Sequence, residues 1–273
     1  MINIKVLKDC AEVSYALPNT TKRQTKIIGI SEIPALFDTK ISYDSGNLAL
    51  FAQHNAYGIQ RIIQRDNQTI VFVQCINPFV NILHTNKAEL STAVKEAMGI
   101  PKHEAKIKDV ITSSDYTSDG RKATTYHNVH LPNMLYAISI RQNSSGQYQK
   151  THDGLLCYKE NFISDATQLY HFPLSNTYKN SSCGQICWGN VSNRVDNPSQ
   201  AVGAITSFLG GIMNTHLYET ISVNGHRAVC SSEVLAYLAL RSKEIDSFPH
   251  EAIKLRPNLK YGELVSYITQ NWK

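Results

Sequence analysis

Cys187 is the residue of this sequence best placed to do covalent chemistry. It lies in an irregular stretch, residues 173–197, with Gly184 and Gly189 close on either side and Asn176 upstream. A thiolate is a strong nucleophile, and glycines allow another chain to approach the backbone closely. An irregular loop between ordered elements is also where a scaffold tends to hold reactive groups. The stretch therefore offers a nucleophile, an open backbone and an amide in one loop.

Each chemical residue of this stretch also has an ordinary structural interpretation. A cysteine such as Cys187 is commonly a small buried hydrophobe, and Asn176 is a common turn residue that bonds its own backbone. Cys183 is either a second acceptor thiol or an incidental cysteine of a short polar insert. Trp188 is expected to pack, and His171 to be a satisfied histidine at the end of a strand.

Strands are expected to position this loop. Tyr57 to Ile63 and Thr69 to Ile76 read as a hairpin, since both are rich in β-formers and a polar turn joins them. Further along, Met134 to Ile140, Gly154 to Tyr158 and Gln168 to Phe172 read as three short strands joined by turns. Three strands in succession predict an antiparallel meander that leads directly into the irregular stretch.

Helices are predicted both before and after the meander. Asn86 reads as the cap of an early helix, with Glu89 three residues on and Gly99 and Pro101 as its end. After the loop, Asn197 and Pro198 open a helix with apolar residues at helical spacing. Two more are predicted from Ser232 to Lys243 and from Gly262 to Trp272. Strands followed by helices define an α+β fold.

The chain of 273 residues is long enough for one large domain or two modest ones. Residues 102–128 are polar and rich in Lys, Ser, Thr and Asp, which is typical of a linker or a long surface loop. We therefore predict a strand-rich region with one helix at residues 1–110 and a second domain at residues 111–273.

Charge and composition narrow the classes of function. The net charge is +5, but residues 1–130 hold 15 Lys and Arg against 12 Asp and Glu, so the excess is spread evenly. Without a basic stripe or a base-reading motif, we do not expect a nucleic-acid ligand. No apolar run reaches the roughly 18 residues of a membrane helix, and the start does not read as a secretory signal. A cytoplasmic location and reduced thiols are expected.

The sequence resembles the ubiquitin-conjugating (E2) enzymes. In those enzymes a meander ends in His-Pro-Asn, and a Gly-x-Ile/Val-Cys motif, a loop, a Ser-Pro and a helix follow. Here Pro173 and Asn176 precede Gly184-Gln185-Ile186-Cys187, and Asn197-Pro198 opens an apolar helix. The match is closer still to the bacterial E2-like family known as protein B of the PRTRC cassette (prokaryotic E2 family D). Its pattern is apolar-Pro-x-x-Asn-x-Tyr followed by Gly-x-x-Cys-Trp-Gly.

The resemblance covers roughly residues 130–215 well and departs from the common E2 pattern at two points. Phe172, not a histidine, precedes Pro173, and two residues separate Pro173 from Asn176. The interval from Asn176 to Cys187 is also longer, because residues 179–183 are inserted.

The resemblance implies a UBC-like fold and a specific chemistry. Cys187 would accept a ubiquitin-like modifier as a thioester from an E1-like adenylating enzyme and pass it to an acceptor. Asn176 would stabilise the oxyanion of the attacked thioester, a contribution of about 3–4 kcal/mol for such a donor. Asp196 either helps to deprotonate an incoming amine or is a surface charge beside the helix. Partners would be the E1-like enzyme, the modifier and a JAB-type protease, with no bound cofactor or metal.

Two other functions compete with the carrier hypothesis. The first is an inactive E2-like module that binds the modifier or its E1-like enzyme without carrying it. The second is a structural zinc site using Cys183, Cys187 and His171, although such a site needs four ligands and one close pair is present. Phosphate-loop, dinucleotide and His-Glu-x-x-His motifs are absent from the sequence, and nothing around Cys187 matches a papain-like protease.

Overall fold

The computed structural model describes residues 2–6, 10–16, 23–29, 58–88, 90–100, 110–114, 122–188 and 198–272. The chain forms two compact units that are interleaved along the sequence. Unit 1 comprises residues 1–75, 135–153 and 191–205, and unit 2 comprises residues 76–134, 154–190 and 206–273.

Unit 1 is built from antiparallel strands. One sheet contains β1 (Ile2–Val6), β2 (Cys10–Ala16) and β3 (Arg23–Gly29) in that order. In a second sheet, β4 (Gly58–Arg65) pairs with β5 (Gln68–Cys75) through a tight turn at Asp66, whose φ is +37°. The predicted hairpin is thereby confirmed. β5 is an almost fully buried strand, as its run of β-branched and aromatic residues leads one to expect.

Strands β9 (Asn133–Gln142) and β10 (Tyr148–Tyr158) contribute residues to each unit. In unit 1, β9 lies between β5 and the first half of β10. In unit 2, the second half of β10 pairs antiparallel with β11 (Gln168–His171), with Leu156 opposite His171. The order β9, β10, β11 is that of the predicted meander.

Unit 2 holds two further sheets. β12 (Ile212–Met213), β6 (Phe79–His84), β8 (Ala123–His130) and β7 (Ile111–Ser114) lie side by side in that order. β13 (Ile221–Val223) lies between β14 (His226–Ala228) and β15 (Ile253–Lys254). The far edge of β11 is covered by β16 (Pro257–Lys260).

Four helices lie in the described part of the chain. They are α1 (Thr92–Ala97), α2 (Pro198–Gly210), α3 (Ser231–Arg241) and α4 (Tyr261–Asn271). Helix α3 packs against β8 and is buried at every position from Ser231 to Leu240 except Glu233. At the start of α4 the Lys260 N–H donates a hydrogen bond to the Glu263 carboxylate at 2.8 Å. Helices α2, α3 and α4 begin within a residue or so of their predicted starts.

The first helix begins later than predicted. Asn86 does not cap it; instead the Ser91 hydroxyl accepts a hydrogen bond from the Val94 N–H at 3.2 Å. The helix ends before Gly99, whose φ is +67°, as the sequence indicated. The whole is an α+β protein made mostly of strands. Glu89, Gly189, Asp196 and Asn197, which carried predictions, lie outside the described residues.

Candidate active site

The loop that carries Cys187 contains a short antiparallel ladder. Thr177 pairs with Ile186, and the two flanking hydrogen bonds run from the Cys187 N–H to the Asn176 carbonyl at 2.8 Å and from the Tyr178 N–H to the Gln185 carbonyl at 2.9 Å. Residues 176–187 therefore form a hairpin, called here the Cys187 hairpin. Its register places Asn176 directly opposite Cys187.

Burial alternates along both arms of this hairpin, as it does in a strand with one solvated face. Thr177 and Ile186 are 1% and 3% exposed and form the inner side. The other paired positions form the outer side and are half-buried or exposed: Asn176, Tyr178, Gln185 and Cys187. The chemical side chains are thus the ones that solvent and a partner can reach.

Cys187 is a half-buried thiol that is not part of a disulfide. Its hydrogen-bonded backbone fixes the position of the residue, while its side chain remains accessible on the outer side. An accessible thiol on a fixed backbone is the arrangement that nucleophilic catalysis needs.

Asn176 adopts a left-handed backbone conformation, with φ at +64°. Asn is one of the few residues with a side chain that tolerates this region. Its N–H donates to the His216 carbonyl at 3.2 Å, and its amide nitrogen donates to the Ile212 carbonyl at 3.4 Å. The second bond is near the outer limit of hydrogen-bond length and is therefore weak. The Asn176 amide can exchange the Ile212 carbonyl for another acceptor at little cost in free energy. The interpretation of Asn176 as a turn residue and its assignment as an amide donor are compatible.

Tyr178 is an outer-side residue that the sequence interpretation did not single out. Its phenol lies on the same side of the hairpin as the Cys187 thiol. A side-chain hydrogen bond with Cys187, and next the charge of Cys187, raises the pKa of Tyr178. The signal was present in the Asn-x-Tyr spacing, because residues two apart on one arm share a face; finding it required knowing that this arm pairs with Gln185 to Cys187.

A buried lysine lies beneath the hairpin. The Lys179 ammonium donates to the carbonyls of Phe172 and Leu174, the latter at 2.9 Å, and to the Thr177 hydroxyl at 2.7 Å. Burial lowers the pKa of Lys179 from 10.5 to about 8. The three hydrogen bonds of the ammonium therefore hold together the segment from Phe172 to Thr177, which contains Asn176.

The insert at residues 179–183 is packed at its two ends, where Lys179 and Cys183 are buried. Cys183 is 6% exposed, and a Cβ added to Gly154 would lie 2.2 Å from its carbonyl oxygen. Gly184 has φ at +62°, its carbonyl accepts from the Leu155 N–H at 3.0 Å, and an added Cβ would lie 2.3 Å from the Leu155 carbonyl oxygen. Because Gly154 and Gly184 have no Cβ, the insert can dock closely on β10.

The residue that follows Cys187 belongs to a cluster of aromatic rings. The ring of Trp188 meets that of Phe208, on α2, edge to face at a centroid distance of 6.0 Å. Phe208 in turn meets Phe172 at 5.8 Å. Such pairs typically contribute about 0.5–1.5 kcal/mol beyond their buried area. Trp188 packs as the sequence predicted, and it ties the residue after Cys187 to a helix.

His171 is buried at the end of β11 and is not placed as a general base. Burial, and next the charges of Lys179 and Arg256, lower its pKa from 6.5 to about 4. Its Nδ1 has no hydrogen-bond partner among the described residues. A pocket of about 30 Å³ beside it is also lined by Lys179, Glu219 and Arg256. The prediction that His171 lies at a strand end is confirmed, whereas the prediction of a satisfied ring is not, because its Nδ1 has no partner among the described residues.

The other described cysteines lie in different surroundings. Burial raises the pKa of Cys75 to about 12 and that of Cys157 still further. Both are strand residues of the core. Cys230 is half-buried and accepts a hydrogen bond from the Ser232 hydroxyl at 3.0 Å. Among the cysteines whose burial the structure describes, Cys187 is the half-buried one that lies opposite an asparagine.

The described residues contain no group of three or more His, Cys, Asp or Glu side chains that would hold a metal ion. The zinc hypothesis for Cys183, Cys187 and His171 therefore gains no support. Among the helices that the structure describes, none has the length and apolar character needed to span a bilayer.

Comparison of the chain with protein-family models, curated proteins and solved structures finds no match. The class of protein must therefore be argued from the site itself, an accessible thiol in a fixed hairpin that follows a meander and precedes a helix.

Proposed function

We propose that this chain is an E2-like carrier with a UBC-like fold, and that Cys187 accepts a ubiquitin-like modifier as a thioester. The observation that carries the proposal is the register of the Cys187 hairpin, which sets Asn176 opposite an accessible thiol. The succession of β9, β10, β11, hairpin and α2 also has the order that the resemblance to E2 enzymes implies.

The chemistry is a thioester exchange. The Cys187 thiolate attacks the carbonyl of the modifier's C-terminal thioester on an E1-like enzyme, and that enzyme's thiolate leaves with the electron pair of the broken C–S bond. In the second step an acceptor amine or hydroxyl attacks the new thioester, and the Cys187 thiolate leaves. Each attack builds an oxyanion, and the Asn176 amide is the proposed donor to it.

The proposed partners follow from this chemistry. An E1-like enzyme would activate the modifier with ATP, so the chain itself would need no cofactor. Residues 111–273 would form the catalytic domain, and residues 1–110 would dock the E1-like enzyme or a target. A JAB-type protease of the same bacterial PRTRC cassette would be a further partner, in the cytoplasm.

The carrier hypothesis is tested by incubating the protein with ATP, the E1-like enzyme and the ubiquitin-like protein of such a cassette, followed by a non-reducing gel. We expect an adduct that a thiol reagent releases and that Cys187→Ala abolishes. Cys183→Ala is the matched control and should retain the adduct, since Cys183 is buried. An adduct that survives in Cys187→Ala would disprove the assignment, and binding without any adduct would favour the inactive module.

The role of Asn176 requires a variant that spares the backbone. Because φ at this residue is +64°, Asn176→Gly removes the amide without strain, whereas Asn176→Ala would add strain. We expect Asn176→Gly to slow discharge of the thioester to hydroxylamine by about 100-fold, the usual effect of losing one oxyanion donor. Discharge at the wild-type rate would leave Asn176 with only its turn role.

A further inference from the structure

The register of the Cys187 hairpin brings a second outer residue to the sulfur. Tyr178 lies directly opposite Gln185, so it is the diagonal neighbour of Cys187 on the same side. Diagonal neighbours across an antiparallel pair lie about 7–8 Å apart, within reach of an aromatic side chain. A phenol is long enough to span that gap, and the raised pKa of Tyr178, with a side-chain hydrogen bond to Cys187 as its first cause, agrees with this placement.

The direction of this hydrogen bond follows from the chemistry of its partners. A thiolate accepts hydrogen bonds and cannot donate them, so the Tyr178 hydroxyl donates to the charged sulfur. The raised pKa of the phenol agrees, since a phenol that donates to an anion gives up its proton less readily. The tyrosine of the pair therefore keeps its proton when the sulfur is charged.

We infer that Tyr178 is a further catalytic residue of this site, whose hydroxyl donates to the Cys187 sulfur whenever that sulfur carries negative charge. The inference about transfer rests on the proposed carrier function. The sulfur is charged at two moments of that cycle, before it attacks the incoming thioester and as it leaves the outgoing one. Its electron pair forms the new C–S bond in the first step and is regained in the second.

The hydroxyl acts without a net proton transfer of its own. Tyr178 keeps its proton in both steps, while the proton of the acceptor amine or hydroxyl goes to solvent. In the loaded state the thioester sulfur is neutral, so the hydroxyl loses its charged acceptor until the C–S bond breaks again. One residue therefore assists both halves of the exchange.

The first test uses the protein alone. Alkylation of Cys187 by iodoacetamide at neutral pH, followed by peptide mass mapping, should be about threefold slower in Tyr178→Phe. Loss of the donor to the charged sulfur lowers the rate, and the higher intrinsic nucleophilicity of a less stabilised thiolate offsets part of the loss. Tyr170→Phe is the matched control, since Tyr170 is also half-buried but lies under Lys159. An unchanged rate in Tyr178→Phe would overturn the inference.

A second test measures the pKa of the Tyr178 phenol. The difference in ultraviolet titration between the wild type and Tyr178→Phe isolates Tyr178, and the same difference is taken in a Cys187→Ala background. We expect a lower pKa of Tyr178 without the sulfur, because the bond and charge that raise it are gone. Identical titrations in the two backgrounds would show that the hydroxyl does not donate to the sulfur.

The transfer assay separates this inference from the carrier hypothesis. Tyr178→Phe should slow loading and discharge by similar factors of about three. If the alkylation rate falls but transfer rates do not, Tyr178 is not catalytic. If both tests on the protein alone succeed and the wild type forms no adduct, the carrier hypothesis fails while the tyrosine–thiolate pair stands.

Discussion

The two sides of the Cys187 hairpin come from alternating residues of the same two short arms, yet they serve different purposes. On the inner side, Thr177 and Ile186 are buried, and the buried ammonium of Lys179 hydrogen-bonds to the chain beneath the hairpin. The outer side presents a thiol, an amide and a phenol. The inner residues hold the backbone of the hairpin in place, so the outer side chains need few contacts of their own to be positioned. Substitutions on the inner side should therefore cost stability, and those on the outer side should not.

The largest loss of stability is expected from Gly184→Ala. A Cβ there would meet the Leu155 carbonyl oxygen at 2.3 Å, and φ at +62° strains any side chain. We expect a loss of about 3 kcal/mol in the free energy of unfolding, from backbone strain and overpacking together. Chemical denaturation measures it.

Gly225→Ala is the control for that loss. Gly225 has φ at +84° but nothing lies within 4 Å of an added Cβ, so only the strain remains, about 1 kcal/mol. Equal losses at the two glycines would mean that the docking of the insert on β10 contributes nothing.

A loss of about 2 kcal/mol is expected from Lys179→Met, because it leaves two buried carbonyls and a hydroxyl without their donor. Relief from burying a charge offsets part of that cost. Lys159→Met is the control, since Lys159 is exposed and its ammonium lies over the Tyr170 ring. It should change stability by less than about 0.5 kcal/mol.

The pH dependence of the Lys179 variant has a definite sign. The pKa of Lys179 is about 8 in the folded protein and 10.5 in its ordinary state, so the unfolded chain binds more protons between those values. The stability of the wild type should therefore rise relative to Lys179→Met as pH increases from about 8 to 10.5. If the difference in stability between the wild type and Lys179→Met became smaller over this pH range, the burial of the ammonium would be contradicted.

The smallest effects compare two neighbours on one arm. Ile186→Val removes one buried methylene from the inner side and should cost about 1 kcal/mol. Gln185→Ala, on the outer side, should change stability by no more than about 0.5 kcal/mol. Thermal and chemical unfolding of the two variants side by side would reveal any reversal of this order.

Local signals predicted the elements well because they depend on neighbours in sequence. The turn after β4, the dense β-formers of β5 and the Pro198 start of α2 all act within a few residues. The motif around Cys187 and its resemblance to E2 enzymes identified Cys187 and Asn176 as the residues of interest. Neither required knowledge of the rest of the fold.

The remaining features depend on pairing between distant segments, which no local pattern encodes. Tyr178 and Cys187 share the outer side only because Thr177 pairs with Ile186, which lies beyond the turn of the hairpin. A lysine in a polar insert reads as a solvated charge, yet Lys179 finds three acceptors beneath the hairpin. In the same way, Ser91 and not Asn86 became a helix cap because the chain turns later than its composition indicates.

The docked insert limits how this protein can be edited. In a linear view, residues 179–183 look like a convenient place to shorten the chain, cleave it or graft an epitope. Since Cys183 presses on Gly154 and Lys179 fills the space below, any such change would misplace the arm that ends in Cys187. Tags and labels are better attached at the turn around Gly146, where the chain is exposed and an added Cβ has only a glutamine side chain nearby, at 3.8 Å.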